Sequence, residues 1–405
     1  MTLQKQTSNF APLAFVGMMF FAIGFALGIN SFLIPVINST LGVSSAQAYL
    51  VLAATFSTFI IFGYPASMTI KKIGYKQTMA LSFMFFAVGF LLYVFSAKHN
   101  NFVLFLVASF MSGIGNTFLQ ASVNPYITIL GPIESAARRM SIMGISNKLA
   151  WPIAPVFLAW VIGKNTTEIS EISDLILPFY IIIGVFILLG VISLLAPLPE
   201  VKAVGEDDCS STSSECAYAA EKTSIWQFPH LILGVIALFL YVGAEVIALS
   251  TLVDYATNLK LPNAANYAWI PSVGMVVGYI CGIITIPKFI SQAKALRVCA
   301  SIAIAGTICV VLSTAANSIW FISLIALGCS LMWPALWPLA MADLGKFTKA
   351  GASLLVMAIA GGAVVPLIFG FIKDIVGTQS AYWVCLPCFL FILYYGLIGY
   401  KIRTK

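Results

Sequence analysis

The sequence predicts an all-α membrane protein of twelve transmembrane helices arranged as two six-helix halves. Three observations lead there. Of its 405 residues, 60% are hydrophobic and 9% charged, where soluble domains carry about a quarter charged, and the mean hydropathy is +1.00. Apolar windows long enough to cross a hydrocarbon core of roughly 30 Å recur along the whole chain. The longest polar stretch lies near the middle, with six windows before it and six after.

In order, the windows run approximately over 11–36, 47–70, 77–97, 102–130, 140–162, 175–196, 229–253, 267–286, 295–313, 319–341, 350–372 and 380–400. The segment ahead of the first, Met1 to Phe10, is short and polar with one Lys. The apolar stretch behind it is too long for a signal-peptide core, so it reads as an uncleaved first span.

Twelve spans put both termini on one side. Sixteen of the 21 Lys and Arg then fall on that side, among them Lys71, Lys72, Lys76, Arg138, Arg139 and Lys401. Four fall on the other: Lys98, Lys164, Lys260 and Lys373. Basic residues collect in cytoplasmic loops, which places both termini in the cytoplasm of a multi-pass protein of the inner membrane. The net charge of +7 follows from that orientation and calls for no nucleic-acid partner.

The expected domains are a first six-helix bundle at 1–196, a cytoplasmic linker at 197–228 and a second bundle at 229–405. The linker carries Glu200, Glu206, Asp207, Asp208 and the Ser/Thr cluster from Ser210 to Ser214, a composition that stays solvated. The halves echo one another: Gly24, Ser31, Leu33 and Tyr49 against Gly243, Ser250, Leu252 and Tyr267, then Leu130–Gly131, Ser141 and Pro155 against Leu344–Gly345, Ser353 and Pro366. Paired echoes in corresponding helices are what a transporter built from repeats shows, with its site between them. The loops are too short for a folded enzyme domain, so function lies between the helices.

The eight cysteines make no disulfide framework. Cys385 and Cys388 form a CxxC around Leu386 and Pro387 in an apolar helix, with no second pair to complete a metal site, so they read as packing residues. No metal or cofactor is expected. His99 and His230 sit at helix ends and no paired carboxylates occur inside the spans, which disfavours an intramembrane enzyme. The charge rings or repeated carbonyl filters of a channel are also missing.

Only Lys148 and Glu245 lie well inside the spans. A charge at the bilayer centre costs several kcal/mol and persists beside a partner or a water-filled path, so one in each half points to a shared central site. Lys148 suits an ion-pair partner, a ligand for substrate hydroxyls or a substitute for a bound cation. Glu245 suits a proton carrier or a fixed partner of Lys148. At 1.5 Å per residue, Lys148 lies roughly 13 Å beyond Arg139 and Glu245 roughly 23 Å beyond His230, a gap that argues against assuming direct pairing.

In the fourth helix Asn116, Gln120 and Asn124 recur at i, i+4 and i+8 and share a face. Amides facing lipid would be unsatisfied, so they face protein or water. Interhelical hydrogen bonding is one use. Three amides in line favour a polyhydroxylated ligand, since a sugar needs many neutral donors and acceptors. The fifth helix presents Gly144, Asn147, Lys148 and Trp151 along one side. In the tenth, Trp333–Pro334 and Trp337–Pro338 place two indoles one turn apart, each before a helix-disturbing proline; they could stack on a sugar or simply pack. Gly361 and Gly362 permit close helix approach.

The segment Gln120 to Glu134, containing Asn124–Pro125–Tyr126 and Leu130–Gly131–Pro132, resembles the fucose/galactose/glucose symporter family of the major facilitator superfamily. So do Arg139, Asn147–Lys148, Tyr241 to Glu245 and Leu354 to Gly362, and the similarity spans nearly the whole chain. The loop Lys71 to Lys76 is similar to that superfamily's loop between helices two and three. The resemblance implies a cavity lined by helices one, four, seven and ten, where Asn30, Gln120, Glu245 and Trp337 fall. Proton-coupled fucose transporters of the family carry an aspartate and a glutamate where this chain has Ser31 and Gln120, and neither can carry a proton. The Asn-Lys and Val-Gly-Ala-Glu motifs resemble the glucose, galactose or N-acetylglucosamine branch, which shifts coupling to Glu245, modulated by Lys148.

The expected function is import of a neutral monosaccharide such as glucose or galactose by alternating access, as a monomer in the lipid bilayer, coupled to a cation, with the proton ahead of sodium. Asn30, Asn116, Gln120, Asn124, Asn147, Lys148, Trp333 and Trp337 are the expected substrate ligands, and Glu245 with Lys148 the coupling groups. An N-acetylhexosamine substrate, sodium coupling and uncoupled facilitation stay open on the sequence.

Overall fold

The computed structural model describes residues 10–129, 136–164, 168–169, 171–196, 222–286, 289–344 and 347–404. The greater part of the expected linker, 197–221 with Cys209 and Cys216, and the Gly131–Pro132 block lie outside the described residues. Among those described, every regular element is helical, and twelve helices are long and apolar enough to span a membrane. They are α1 (Leu13–Leu41), α2 (Ser45–Ile70), α3 (Lys72–His99), α4 (Phe102–Asn124), α5 (Arg139–Ile162) and α6 (Ile172–Leu195), then α7 (Pro229–Ser250), α8 (Ala264–Thr285), α9 (Gln292–Leu312), α10 (Asn317–Met341), α11 (Ser353–Val376) and α12 (Thr378–Ile402). The expected windows hold. They differ most at the end of α4, Asn124 against 130, then at the end of α1, Leu41 against 36, and at the start of α3, Lys72 against 77.

Local chemistry sets the ends and breaks. Ser44 and Gln47 form a reciprocal capping box at the start of α2, which satisfies two orphan donors of the first turn. The backbone runs helically from Ser45 to His99 through α2 and α3 and is broken at Gly74, in the first turn of α3, whose φ of 81° is accessible to glycine; the expected basic loop is therefore one tight turn. In α10 the helix stops at Ser330 and resumes at Met332, because Pro334 lacks an N–H and its ring crowds the carbonyl four residues back. α11 is interrupted between Ala358 and Gly361.

Close helix approaches position the centre of the molecule. A Cβ on Gly24 would lie 2.0 Å from the Asn147 carbonyl oxygen, and one on Gly28 2.1 Å from that of Trp151. Two glycines one turn apart thus let α1 and α5 touch backbone to backbone, and they fix the stretch of α5 that carries Lys148. Gly361 abuts the Phe239 carbonyl of α7, while Gly362 abuts the Phe56 ring of α2, so the pair closes α11 against a neighbour in each half. α6 turns Leu177, Val185, Ile187 and Leu188 outward, an apolar face that only lipid satisfies.

Candidate functional site

An ion pair joins the two halves. Lys148 on α5 places its Nζ 3.0 Å from Oε1 of Glu245 on α7, with side-chain exposures of 9% and 10%. The Tyr241 hydroxyl, one turn earlier on α7, donates to the same oxygen at 2.8 Å. Lys148 Nζ also stands 5.1 Å from the Trp151 ring centroid, within cation–π range. A buried pair offsets its desolvation cost only when further hydrogen bonds help, and Tyr241 supplies one.

The depth arithmetic thus gives way to direct pairing. Both reference residues are buried, Arg139 with its Nε donating to the Ile127 carbonyl at 3.0 Å and His230 with its Nε2 against the Ala342 carbonyl at 2.8 Å, so neither marks the membrane surface. Counting along separate helices from such residues gives no common origin, and the 3.0 Å contact decides the pairing.

A second bridge runs beside the first. Trp151 Nε1 donates to Ser31 Oγ at 3.1 Å, and Ser31 Oγ donates to the Leu249 carbonyl at 3.4 Å, joining α1 to α7. Ser31, which stands where the family's fucose branch carries an acid, is a neutral tie between halves. Its neighbour Asn30 and Leu249's neighbour Ser250 are both buried, and neither Asn30 Nδ2 nor Ser250 Oγ has a hydrogen-bond partner.

On α4, Gln120 Nε2 donates to Asn116 Oδ1 at 3.0 Å. Asn116 is fully buried and its own Nδ2 is unpaired; Gln120 and Asn124 are half-buried. On α10 the Trp333 and Trp337 rings stack at 5.4 Å and 28°, and Trp333 lies 6.4 Å from the Tyr241 ring. The indoles therefore join the ion pair through Tyr241. Asn147 is spent differently: its Nδ2 donates to the Phe20 carbonyl at 3.1 Å, which ties α5 to α1.

Sequence reading missed a second buried pair. Lys373 Nζ lies 2.5 Å from Asp254 Oδ2, with side-chain exposures of 9% and 4%; Asp254 falls outside the spanning helices and Lys373 in the last turn of α11, so this pair is buried at the end of the bundle while Lys148 and Glu245 lie deep in their spans. Lys373 is expected in a loop and Asp254 is not singled out, because each falls one residue beyond an apolar window (229–253 and 350–372). The available signal was the apolar run Val253, Tyr255 and Ala256 around Asp254.

The Major Facilitator Superfamily model matches residues 15–360. The chain belongs to that superfamily. It is 33% identical over 392 residues to a glucose/galactose transporter of Brucella abortus, covering 95% of this chain and 93% of that protein. It is 27% identical over 427 residues to the L-fucose-proton symporter of Escherichia coli, covering 99% and 96%. A crystal structure of the superfamily transporter FucP in its outward conformation superposes with a TM-score of 0.72 at 26% identity, over 98% of this chain and all of that one. The resemblance to the fucose/galactose/glucose symporters read from the sequence therefore holds, and the protein is a transporter rather than an enzyme.

Proposed function

We propose that this protein imports a neutral hexose, of the glucose or galactose kind, across the cytoplasmic membrane together with a proton. Residues 1–196 would rock as one body against 229–405, with both termini in the cytoplasm. The observation that carries the reading is three buried polar groups without a hydrogen-bond partner on helices expected to line the cavity, Asn30 on α1, Asn116 on α4 and Ser250 on α7, with Ser272 on α8 a further one outside them. Buried polar groups without partners are rare and call for an explanation. Two neutral amide donors and a hydroxyl fit the hydroxyl oxygens of a sugar and offer nothing to neutralise a charged substrate. The curated relatives named for glucose, galactose and fucose support the same class.

Gln120, hydrogen-bonded to Asn116, and Asn124 one turn on extend the polar stripe. Trp333 and Trp337 offer an aromatic face to the sugar's C–H surface. Asn147 belongs with helix packing in this scheme. Coupling rests on Glu245: ionised, it attracts Lys148 across the seam and favours the arrangement seen here, and protonated, it releases that attraction and favours separation of the halves at this level. Uptake of a panel of labelled sugars into proteoliposomes, with proton and sodium gradients imposed separately, tests the reading. Hexose accumulation on the proton gradient is expected, and accumulation only with sodium would replace the proton.

Replacing Gln120 or Asn124 by Ala should weaken sugar binding by about 1–3 kcal/mol without unfolding the protein. Isothermal titration reads this, and unchanged affinity in both variants would return the stripe to packing. Trp337→Phe should bind sugar better than Trp337→Ala, with the wild-type fluorescence responding to sugar. Equal binding by both would remove stacking from the site.

A further inference from the structure

At the end of the bundle opposite the termini, α11 and the short helix Leu252–Asn258 meet the start of α2. Asp374 on α11 accepts from the backbone N–H of Ser45 at 3.1 Å and of Ala46 at 3.0 Å. These are orphan donors of the first turn of α2, so a carboxylate from one half caps a helix of the other. Three residues along, the buried Tyr49 hydroxyl donates to Asp254 Oδ2 at 3.2 Å. The helices come this close because Gly370 faces them: a Cβ there would lie 2.8 Å from the Tyr49 ring and 3.1 Å from Ala46 Cα.

We infer that Asp374 and Asp254, gripping the first turns of α2 through Ser45, Ala46 and Tyr49, form the gate that seals the outer end of the transport path. The arrangement of charges shows why this contact opens without isolating a charge. Asp254 takes its cation, Lys373, and a further donor, Asn258 Nδ2 at 3.1 Å, from its own half. When the halves part, Asp254 loses Tyr49 and keeps its ion pair. Asp374 and the α2 N–H groups exchange one another for water. The Lys148–Glu245 pair crosses the seam, so parting there does separate two charges, which suits a coupling device rather than a latch.

The inference rests on alternating access but is read without sugar or gradient, so its failure leaves the transport reading standing. The experiment uses the full-length protein with its eight native cysteines replaced and with spin labels at His99 and Ala315, which are exposed at this end on opposite halves. Pulsed electron–electron distance measurements give the ratio of parted to closed molecules. Asp374→Ala and Tyr49→Phe should each raise that ratio on the order of tenfold, the loss of one cross-half hydrogen-bonded contact to a charged group.

Gln379→Ala is the control. It removes bonds to the Val310, Val311 and Ser313 carbonyls at the same end but inside one half, and should leave the ratio unchanged. Tyr49→Phe keeps the ring against Phe369 and deletes only the hydroxyl, so it decides the matter even if Asp374→Ala fails to fold. Unshifted distances in Tyr49→Phe, or an equal shift in Gln379→Ala, would overturn the gate.

Discussion

Glu245→Gln should abolish accumulation of sugar against a gradient while leaving exchange of sugar between equal concentrations intact. Glutamine keeps the shape of the side chain and can still accept from Tyr241, but it cannot take up or release a proton. The attraction across the 3.0 Å contact with Lys148 then no longer changes with the proton, and the gradient loses its hold on the equilibrium between the two faces. Counterflow and proton-driven uptake, measured on the same proteoliposomes, separate the two activities. Concentrative uptake by the variant would exclude Glu245 as the coupling group, and loss of binding altogether would make the pair a structural one.

Lys148→Met carries the largest expected effect on the fold. It leaves Glu245 buried with Tyr241 as its remaining partner, and removing one member of a buried pair costs about 3–5 kcal/mol. Lys148→Met combined with Glu245→Gln should recover most of that loss, because a neutral amide beside a thioether leaves no uncompensated charge. Thermal unfolding in detergent of the wild type, the single variant and the double variant measures this. A single variant as stable as the wild type would show that the pair contributes nothing net, and a double variant no better than the single would place the damage in packing against Trp151 instead.

Much of the site was legible because lipid makes polar residues informative. Asn116, Gln120 and Asn124 stand out by their spacing, and Lys148 and Glu245 by their rarity in apolar helices, since each such group must find a partner inside the protein. The same logic did not reach Asp254 and Lys373, which lie at the end of the bundle. Composition windows end where a charge begins, and a charge one residue past the edge looks solvated until the fold shows what covers it. Asn147 was legible as polar but not as occupied, because its acceptor, the Phe20 carbonyl, is a backbone atom 127 residues away.

The sequence by itself determined the twelve spans, their division into two sets of six and the family, because hydropathy is set residue by residue over stretches long enough to average out context. Pro334, four residues after the end at Ser330, is a local instruction to break, whereas Pro338 stays inside a continuous helix. Which polar groups meet was decided only by the tertiary structure. Glycines 24 and 28 set the height of α5 against α1, and Gly370 sets how near α2 comes to α11. Depth counted along separate helices has no common origin until such contacts supply one. The pairing of Lys148 with Glu245, and of Asp374 with the start of α2, depends on those relative heights, to which a helix's own sequence contributes only one side.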